Sequence, residues 1–151
     1  MAKYGGYVRG ITPSLTDDNW TLEAQTAEVG EVIELSWGGQ ATTSTAMSTR
    51  VARGSGQAGS LTTGNVAKFN PASQTNTLIF GTTYATTQCT LDAGDLFSAA
   101  WNAHGGVVRW LAGPNEEIRL IGKATPDADS TLCCRNDVGT GTSNYGTVWE
   151  E

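Results

Sequence analysis

The chain has 151 residues, which fits one domain and allows a core to form without metal or disulfide cross-links. Its net charge of −6, with nine basic residues scattered along the sequence, argues against nucleic acid as the main partner, because phosphate binding needs clustered Lys and Arg. No apolar run is long enough to cross a bilayer, and the first residues lack the apolar core of a secretory signal, so we expect neither a membrane partner nor export by that route.

Residues 1–19 show no regular hydrophobic period and contain several glycines and a proline, which predicts an irregular N-terminal arm. The charged residues that precede Asp17 are Lys3 and Arg9, so this part of the arm is positive whereas the rest of the chain is negative. With Tyr4 and Tyr7 they predict an anchor that contacts an acidic partner. The alternatives are that the segment adds an edge strand to the protein's own sheet, or is disordered as many termini are.

From residue 20 onward, apolar and polar residues alternate in short runs between turn-forming residues, as in β-strands. The expected strands cover residues 20–25, 32–37, 47–53, 78–80, 85–91, 96–99, 107–111, 118–121, 130–135 and 145–149. Residues 54–76 lack a period and are rich in Gly, Ser and Thr, so we expect a long loop there. About eight to ten short strands predict an all-β fold, with one β-sandwich or jelly-roll domain over residues 20–151.

The sequence shows no recognisable catalytic or metal-binding pattern. The one histidine, His104, lies in an expected hairpin loop, far in sequence from any partner that would make it catalytic. Asp92 and Asp95 offer carboxylates for calcium, but Asp-Ala-Gly-Asp is more typical of a turn, in which Asp caps the backbone and Gly adopts a positive φ. We therefore expect a non-enzymatic protein without a metal or other cofactor.

The three cysteines, Cys89, Cys133 and Cys134, form an odd count that does not indicate a disulfide framework. Cys133 and Cys134 are neighbours and would point to opposite faces of a strand, which makes a disulfide between them sterically awkward. We interpret this pair as reduced thiols, one of them buried, and expect the fold not to need cysteine chemistry.

Five tryptophans are spread along the chain, and two interpretations are open. A carbohydrate-binding module displays aromatic rings as flat platforms on a β-sandwich. A core or a subunit interface buries them instead, because a large ring removes the most apolar area from water, and we favour this interpretation. The five residues are Trp20, Trp37, Trp101, Trp110 and Trp149.

Several stretches resemble small virion proteins of tailed bacteriophages, of the capsid decoration or cement type. Residues 101–110 match their "WN-x-x-GG-x-x-RW" stretch, residues 114–118 a "GEEI"-like stretch, and residues 148–151 a terminal "W-E-E". Upstream, residues 50–59 are similar to an Arg-rich strand with a Gly loop, and residues 70–72 to a "DP-x-x-P"-like segment.

The resemblance covers residues 31–151 and departs at Asn115, where Gly is usual, and at Asn70, where Asp is usual. It implies a jelly roll or related sandwich that forms a homotrimer. It also implies a protein made in the host cytoplasm that binds the major capsid protein on the outer surface of the phage head. Many copies would stabilise the assembled shell by mass action and avidity.

Arg and Trp dominate buried contacts between proteins, so they head the candidate interface residues, together with the arm. The candidates are Lys3, Tyr4, Tyr7, Arg9, Arg50, Arg53, Trp101, Arg109 and Trp110. The alternative for each is that it completes the monomer's own core or strand faces. Two rival functions stay open: a tail or head-fibre protein that binds a host receptor or glycan, and a glycan-active enzyme, for which no constellation is present.

Overall fold

The computed structural model describes residues 1–57, 61–84 and 86–151, and these residues form twelve β-strands and no helix. In chain order the strands are β1 (Lys3–Ile11), β2 (Asp18–Glu23), β3 (Val29–Gly39), β4 (Ala46–Ser55), β5 (Leu61–Thr63), β6 (Asn65–Lys68), β7 (Ile79–Tyr84), β8 (Thr90–Asn102), β9 (Val107–Leu111), β10 (Ile118–Ile121), β11 (Thr131–Val138) and β12 (Ser143–Glu150). The all-β prediction is confirmed, with twelve strands rather than eight to ten.

The strands pair into two antiparallel sheets that pack face to face as a β-sandwich. Sheet A has the order β10-β3-β12-β1-β6, and β9 also pairs with β3. The long strand β3 accommodates both partners on one side, β10 along its first half and β9 along its second. Sheet B has the order β5-β7-β2-β11-β4-β8, which leaves the 13-residue strand β8 at an edge.

The core lies between the two sheets and is rich in aromatic rings. Tyr4 stacks on Trp149, which stacks on Phe80, which in turn packs against Trp20. Trp37 is also buried. The interpretation of the tryptophans as core residues is therefore confirmed for Trp20, Trp37 and Trp149, because burying such rings removes the largest apolar area from water.

The irregular N-terminal arm is the main correction. Residues 3–11 form β1, which pairs with β12 on one side and β6 on the other and so lies inside sheet A. The sequence does not show an alternation of apolar and polar side chains here, because positions 5 and 6 are glycines. A Cβ on Gly6 would lie 2.5 Å from the Phe80 ring, so this position faces the core even though it has no apolar side chain.

Two further segments differ from expectation. The long loop expected over residues 54–76 contains the short strands β5 and β6, although residues 58–60 lie outside the described residues. The turn expected at Asp92 is a bulge within β8, where Ala52 lies opposite Asp95 and Gly54 lies opposite Leu91. The strand expected from residue 85 begins at residue 90, and residue 85 itself is not described.

Candidate binding face

The outward-facing side chains of sheet A form a continuous surface, called here the outer face of sheet A. Along β1, Tyr4 and Val8 are buried between the sheets, whereas Lys3, Tyr7 and Arg9 face outward. β9 alternates in the same way, since Val108 and Trp110 pack on the core and the residues between them are exposed. This period of two is what the pleated backbone imposes on any strand with one buried face.

Strand register brings residues from distant parts of the chain into one row across this face. Tyr7 lies opposite Gly146, Gly146 opposite Ser36, and Ser36 opposite Arg109. Directly opposite side chains on one face of a sheet are near neighbours. The face therefore unites Tyr7 and Arg109, which are separated by most of the sequence.

Tyr7 lies flat on the sheet because glycines leave room for its ring. A Cβ on Gly5 would lie 2.9 Å from the ring, and a Cβ on Gly146 would lie 2.7 Å from it. Both distances are shorter than a side chain tolerates, so this position of the ring requires glycine at both places. The guanidinium of Arg9 lies 5.9 Å from the ring centroid, a cation–π contact.

Two ion pairs hold the outer face in a defined arrangement. Arg109 donates two hydrogen bonds to the Glu34 carboxylate, from Nε at 2.8 Å and from Nη2 at 2.9 Å, and these bonds raise the pKa of its guanidinium. Lys3 pairs with Glu150 at 2.9 Å. A two-point Arg–carboxylate pair fixes geometry better than a single contact, so the guanidinium of Arg109 is held next to Glu34.

A shallow groove of about 420 Å³ crosses this face next to Tyr7. Its floor is formed by residues with small side chains, including Ser36 and Gly38, and its sides by Arg9 and Val107. The groove is therefore a gap between the large side chains of β1 and those of β9, above the middle strands of sheet A.

Charge is distributed unequally over the molecule. On the outer face of sheet A the basic residues are Lys3, Arg9, Arg109 and Arg119, and the acidic ones are Glu31, Glu34 and Glu150. Because the whole chain has nine basic and fifteen acidic residues, five basic and twelve acidic residues remain elsewhere. The face is thus slightly positive on a protein that is otherwise strongly negative.

Three of the residues predicted as interface residues pack wholly or partly on the core. Tyr4 is 2% exposed and donates a hydrogen bond to the Gln74 carbonyl, so it offers no contact area to a partner. Trp101 is half-buried and donates from Nε1 to the Thr49 hydroxyl at 3.0 Å. Trp110, also half-buried, packs on the core between the sheets. Tyr4 therefore belongs to the monomer's own core, and Trp101 and Trp110 pack partly against it.

The two arginines of β4 do not join the outer face of sheet A. Arg50 pairs with Asp137 at 2.9 Å on sheet B. Arg53 donates to the carbonyl oxygens of Ala128 at 3.0 Å and Arg119 at 2.9 Å, and so joins sheet B to the β10 edge of sheet A. Four of the nine predicted residues, Lys3, Tyr7, Arg9 and Arg109, therefore lie together on the outer face.

The sequence interpretation missed Arg119, Ser36 and the glycine at position 146, which belong to the same face. The alternation of β10 gave a usable signal for Arg119, because Ile118 and Leu120 on either side of it are buried. Nothing local distinguishes Gly146 from a turn glycine, since its role depends on the Tyr7 ring from the opposite end of the chain.

The described residues bring one group of three potential metal ligands together: Asp18, Cys89 and Cys133, all buried beneath sheet B's outer surface.

His104 is exposed in the turn after β8, where its Nδ1 lies 2.9 Å from the Ala41 carbonyl. No helix in the described part of the chain is long and apolar enough to cross a membrane.

Comparisons with protein-family models, with curated proteins and with solved structures find no match to this chain.

Proposed function

We propose that the protein is a non-enzymatic virion structural protein, a decoration or cement protein that binds the outer surface of a phage head. In this proposal the outer face of sheet A contacts the major capsid protein. The observation that carries it is the slight positive charge of that face, with four basic and three acidic residues, on an otherwise strongly acidic molecule. Such a face is complementary to an acidic surface and disfavours contact through the rest of the protein.

The chemistry of the face suits burial against another protein. Val107 and Leu111 are exposed apolar residues of β9, and Tyr7 adds a flat ring held in place. Arg9 and Arg119 are exposed and make no ion pair with another described residue. Arginine is less strongly hydrated than lysine and bonds carboxylates at two points. Arg9 and Arg119 can therefore form ion pairs with carboxylates of a partner protein.

The edge strands support self-association as the second part of the proposal. Strand β8 ends sheet B and strand β9 lies at the edge of sheet A, and the two approach each other at the same side of the sandwich. Leu96 on the edge strand β8 is exposed there. Because unpaired strand edges with apolar neighbours need covering, we propose that this side forms the contacts of a homotrimer.

The test is the binding of purified protein to phage heads assembled without it, measured by co-sedimentation at several salt concentrations. We expect Arg9→Glu and Arg119→Glu each to weaken binding at least about tenfold, because each replaces a contact by a repulsion. Lys123→Glu is the matched control. It changes the net charge by the same amount, but it is not on the outer face of sheet A. Lys123 lies in the β10–β11 connection, where it bonds Asp127 and Asp129.

Two outcomes would contradict the proposal. Heads that bind none of the wild-type protein would exclude the cement role. Equal loss of binding for the control and the two face variants would show that net charge alone, and not the outer face of sheet A, determines binding.

One observation favours a second candidate, a tail or head-fibre protein that binds a host glycan. The flat ring of Tyr7 borders a groove that also contains the amide side chains of Gln40 and Asn144, and rings combined with planar polar groups suit a sugar. A glycan array probed with wild-type protein and with Tyr7→Ala tests it. Binding of a glycan that the variant loses would favour this function over the cement role.

A further inference from the structure

Cys89 and Cys133 meet beneath the outer surface of sheet B, although 43 residues separate them in the sequence. Their sulfur atoms and a carboxylate oxygen of Asp18 lie within 4.8 Å of one another. Cys89 is 3% exposed and Cys133 is fully buried. Cys134 points to the opposite face of β11, into the core between the sheets, and so is separated from this pair.

A glycine brings the two cysteine side chains together. A Cβ on Gly54 would lie 2.7 Å from the Cys133 sulfur and 2.9 Å from the Cys89 Cβ. Both side chains therefore rest on the same bare stretch of β4 backbone and face each other across it. Any side chain at position 54 would push one of them away.

The Asp18 carboxylate is already occupied, which argues against a metal site. Its Oδ1 accepts hydrogen bonds from Arg135, from Nη2 at 2.8 Å and from Nε at 3.0 Å, and its Oδ2 accepts one from the Cys89 backbone N–H at 3.1 Å. A cation here would also lie beside a permanent guanidinium charge. With Asp18 engaged, two thiols remain, and structural zinc needs four ligands.

We propose that Cys89 and Cys133 are a disulfide-forming pair, which a low-molecular-weight disulfide such as oxidised glutathione converts to a cross-link between β11 and the residue just before β8. The Cys89 thiolate attacks the small disulfide, forms a mixed disulfide and releases one thiol. The Cys133 thiolate then attacks the Cys89 sulfur and releases the second thiol. Two protein thiols are oxidised, one small disulfide is reduced, and both protons leave with the released thiols or the solvent.

Burial governs how fast the reaction proceeds. It raises the pKa of Cys133 well above the ordinary value, and the thiolate is the attacking species, so exchange in the folded protein is slow. Refolding in a redox buffer avoids this barrier, because both thiols are exposed before the core forms. The cross-link closes a long loop, so we expect it to raise the melting temperature by roughly 10 °C.

The experiment is refolding of the whole chain from denaturant in a mixture of oxidised and reduced glutathione, with alkylation and mass analysis. We expect loss of two hydrogens, one remaining free thiol, and a tryptic cross-link between residues 69–109 and 124–135. Cys134→Ala should keep this cross-link, whereas Cys133→Ala and Cys89→Ala should lose it. The two variants at positions 133 and 134 are matched, because both remove a buried sulfur from adjacent residues.

Three outcomes would overturn the proposal: three free thiols after refolding, a cross-link that persists in Cys133→Ala, or an oxidised form that melts below the reduced one. Incubation of the reduced protein with zinc chloride, followed by dialysis and metal analysis, tests the alternative. One zinc ion retained per chain, lost in Cys89→Ala, would make the cluster a metal site instead. Far-ultraviolet circular dichroism verifies that each variant folds.

Discussion

Replacing Asn136 with alanine should destabilise the protein more than any other single amide substitution, because three donors converge on one oxygen atom. Its Oδ1 accepts hydrogen bonds from Asn19 Nδ2 at 3.0 Å, Thr49 Oγ1 at 2.8 Å and Tyr145 OH at 3.0 Å. Its Nδ2 donates to the Gly139 carbonyl at 3.0 Å. All three donor residues are buried between the sheets, where water cannot replace the lost acceptor.

The expected magnitude follows from the number of polar groups left unpaired. A buried donor without an acceptor costs about 1–3 kcal/mol. Thr49 and Tyr145 can turn their hydroxyl protons toward each other, so the costs do not add in full, and we expect a loss of about 3–4 kcal/mol for Asn136→Ala. Tyr145→Phe keeps the ring and removes one donor, so it should cost about 1 kcal/mol.

The assay is urea unfolding followed by tryptophan fluorescence, since Trp101 donates to Thr49 within the same network. Asn65→Ala is the control, because Asn65 is exposed on β6, and it should change the free energy of unfolding by less than about 0.5 kcal/mol. The double variant Asn136→Ala/Tyr145→Phe should cost clearly less than the sum of the single ones, because both remove the same hydrogen bond.

Either of two results would refute this reasoning. A loss below about 1 kcal/mol for Asn136→Ala would mean that the buried donors find other partners at little cost. Additive effects in the double variant would mean that Asn136 and Tyr145 do not share an interaction.

Three further predictions concern the fold. Deleting residues 1–11 should prevent folding, because it removes β1, which pairs with both β12 and β6 in sheet A; a native circular dichroism spectrum of the truncated chain would contradict this. Gly6→Ala should cost about 1–3 kcal/mol in urea unfolding, since the new Cβ would meet the Phe80 ring, whereas Gly94→Ala, with no atom within 4 Å of its Cβ, should cost far less. Burial raises the pKa of Tyr145 to about 12, so stability should fall as the pH rises above about 10, where the unfolded chain ionises first. The melting temperatures measured below and above that pH should differ less in Tyr145→Phe than in the wild-type protein. An equal difference in the two proteins would contradict the attribution of this pH dependence to Tyr145.

The amino-acid sequence by itself predicted the elements that depend on local alternation. The strands expected at residues 107–111 and 118–121 coincide with β9 and β10, because one buried face forces apolar residues onto every second position. The same alternation predicted that Cys133 and Cys134 point to opposite faces, and they do, into separate clusters. Ring size favoured burial for all five tryptophans, and Trp20, Trp37 and Trp149 are buried, whereas Trp101 and Trp110 are half-buried.

Only the tertiary structure decided which segments are neighbours. Residues 3–11 gave no period because Gly6 faces the Phe80 ring, which lies in a distant strand of the other sheet. The flat position of Tyr7 and the meeting of Cys89 with Cys133 likewise depend on strand register between remote parts of the chain. A strand's period comes from its own backbone, whereas its partners are selected by packing across the whole sandwich, and local sequence does not contain that information.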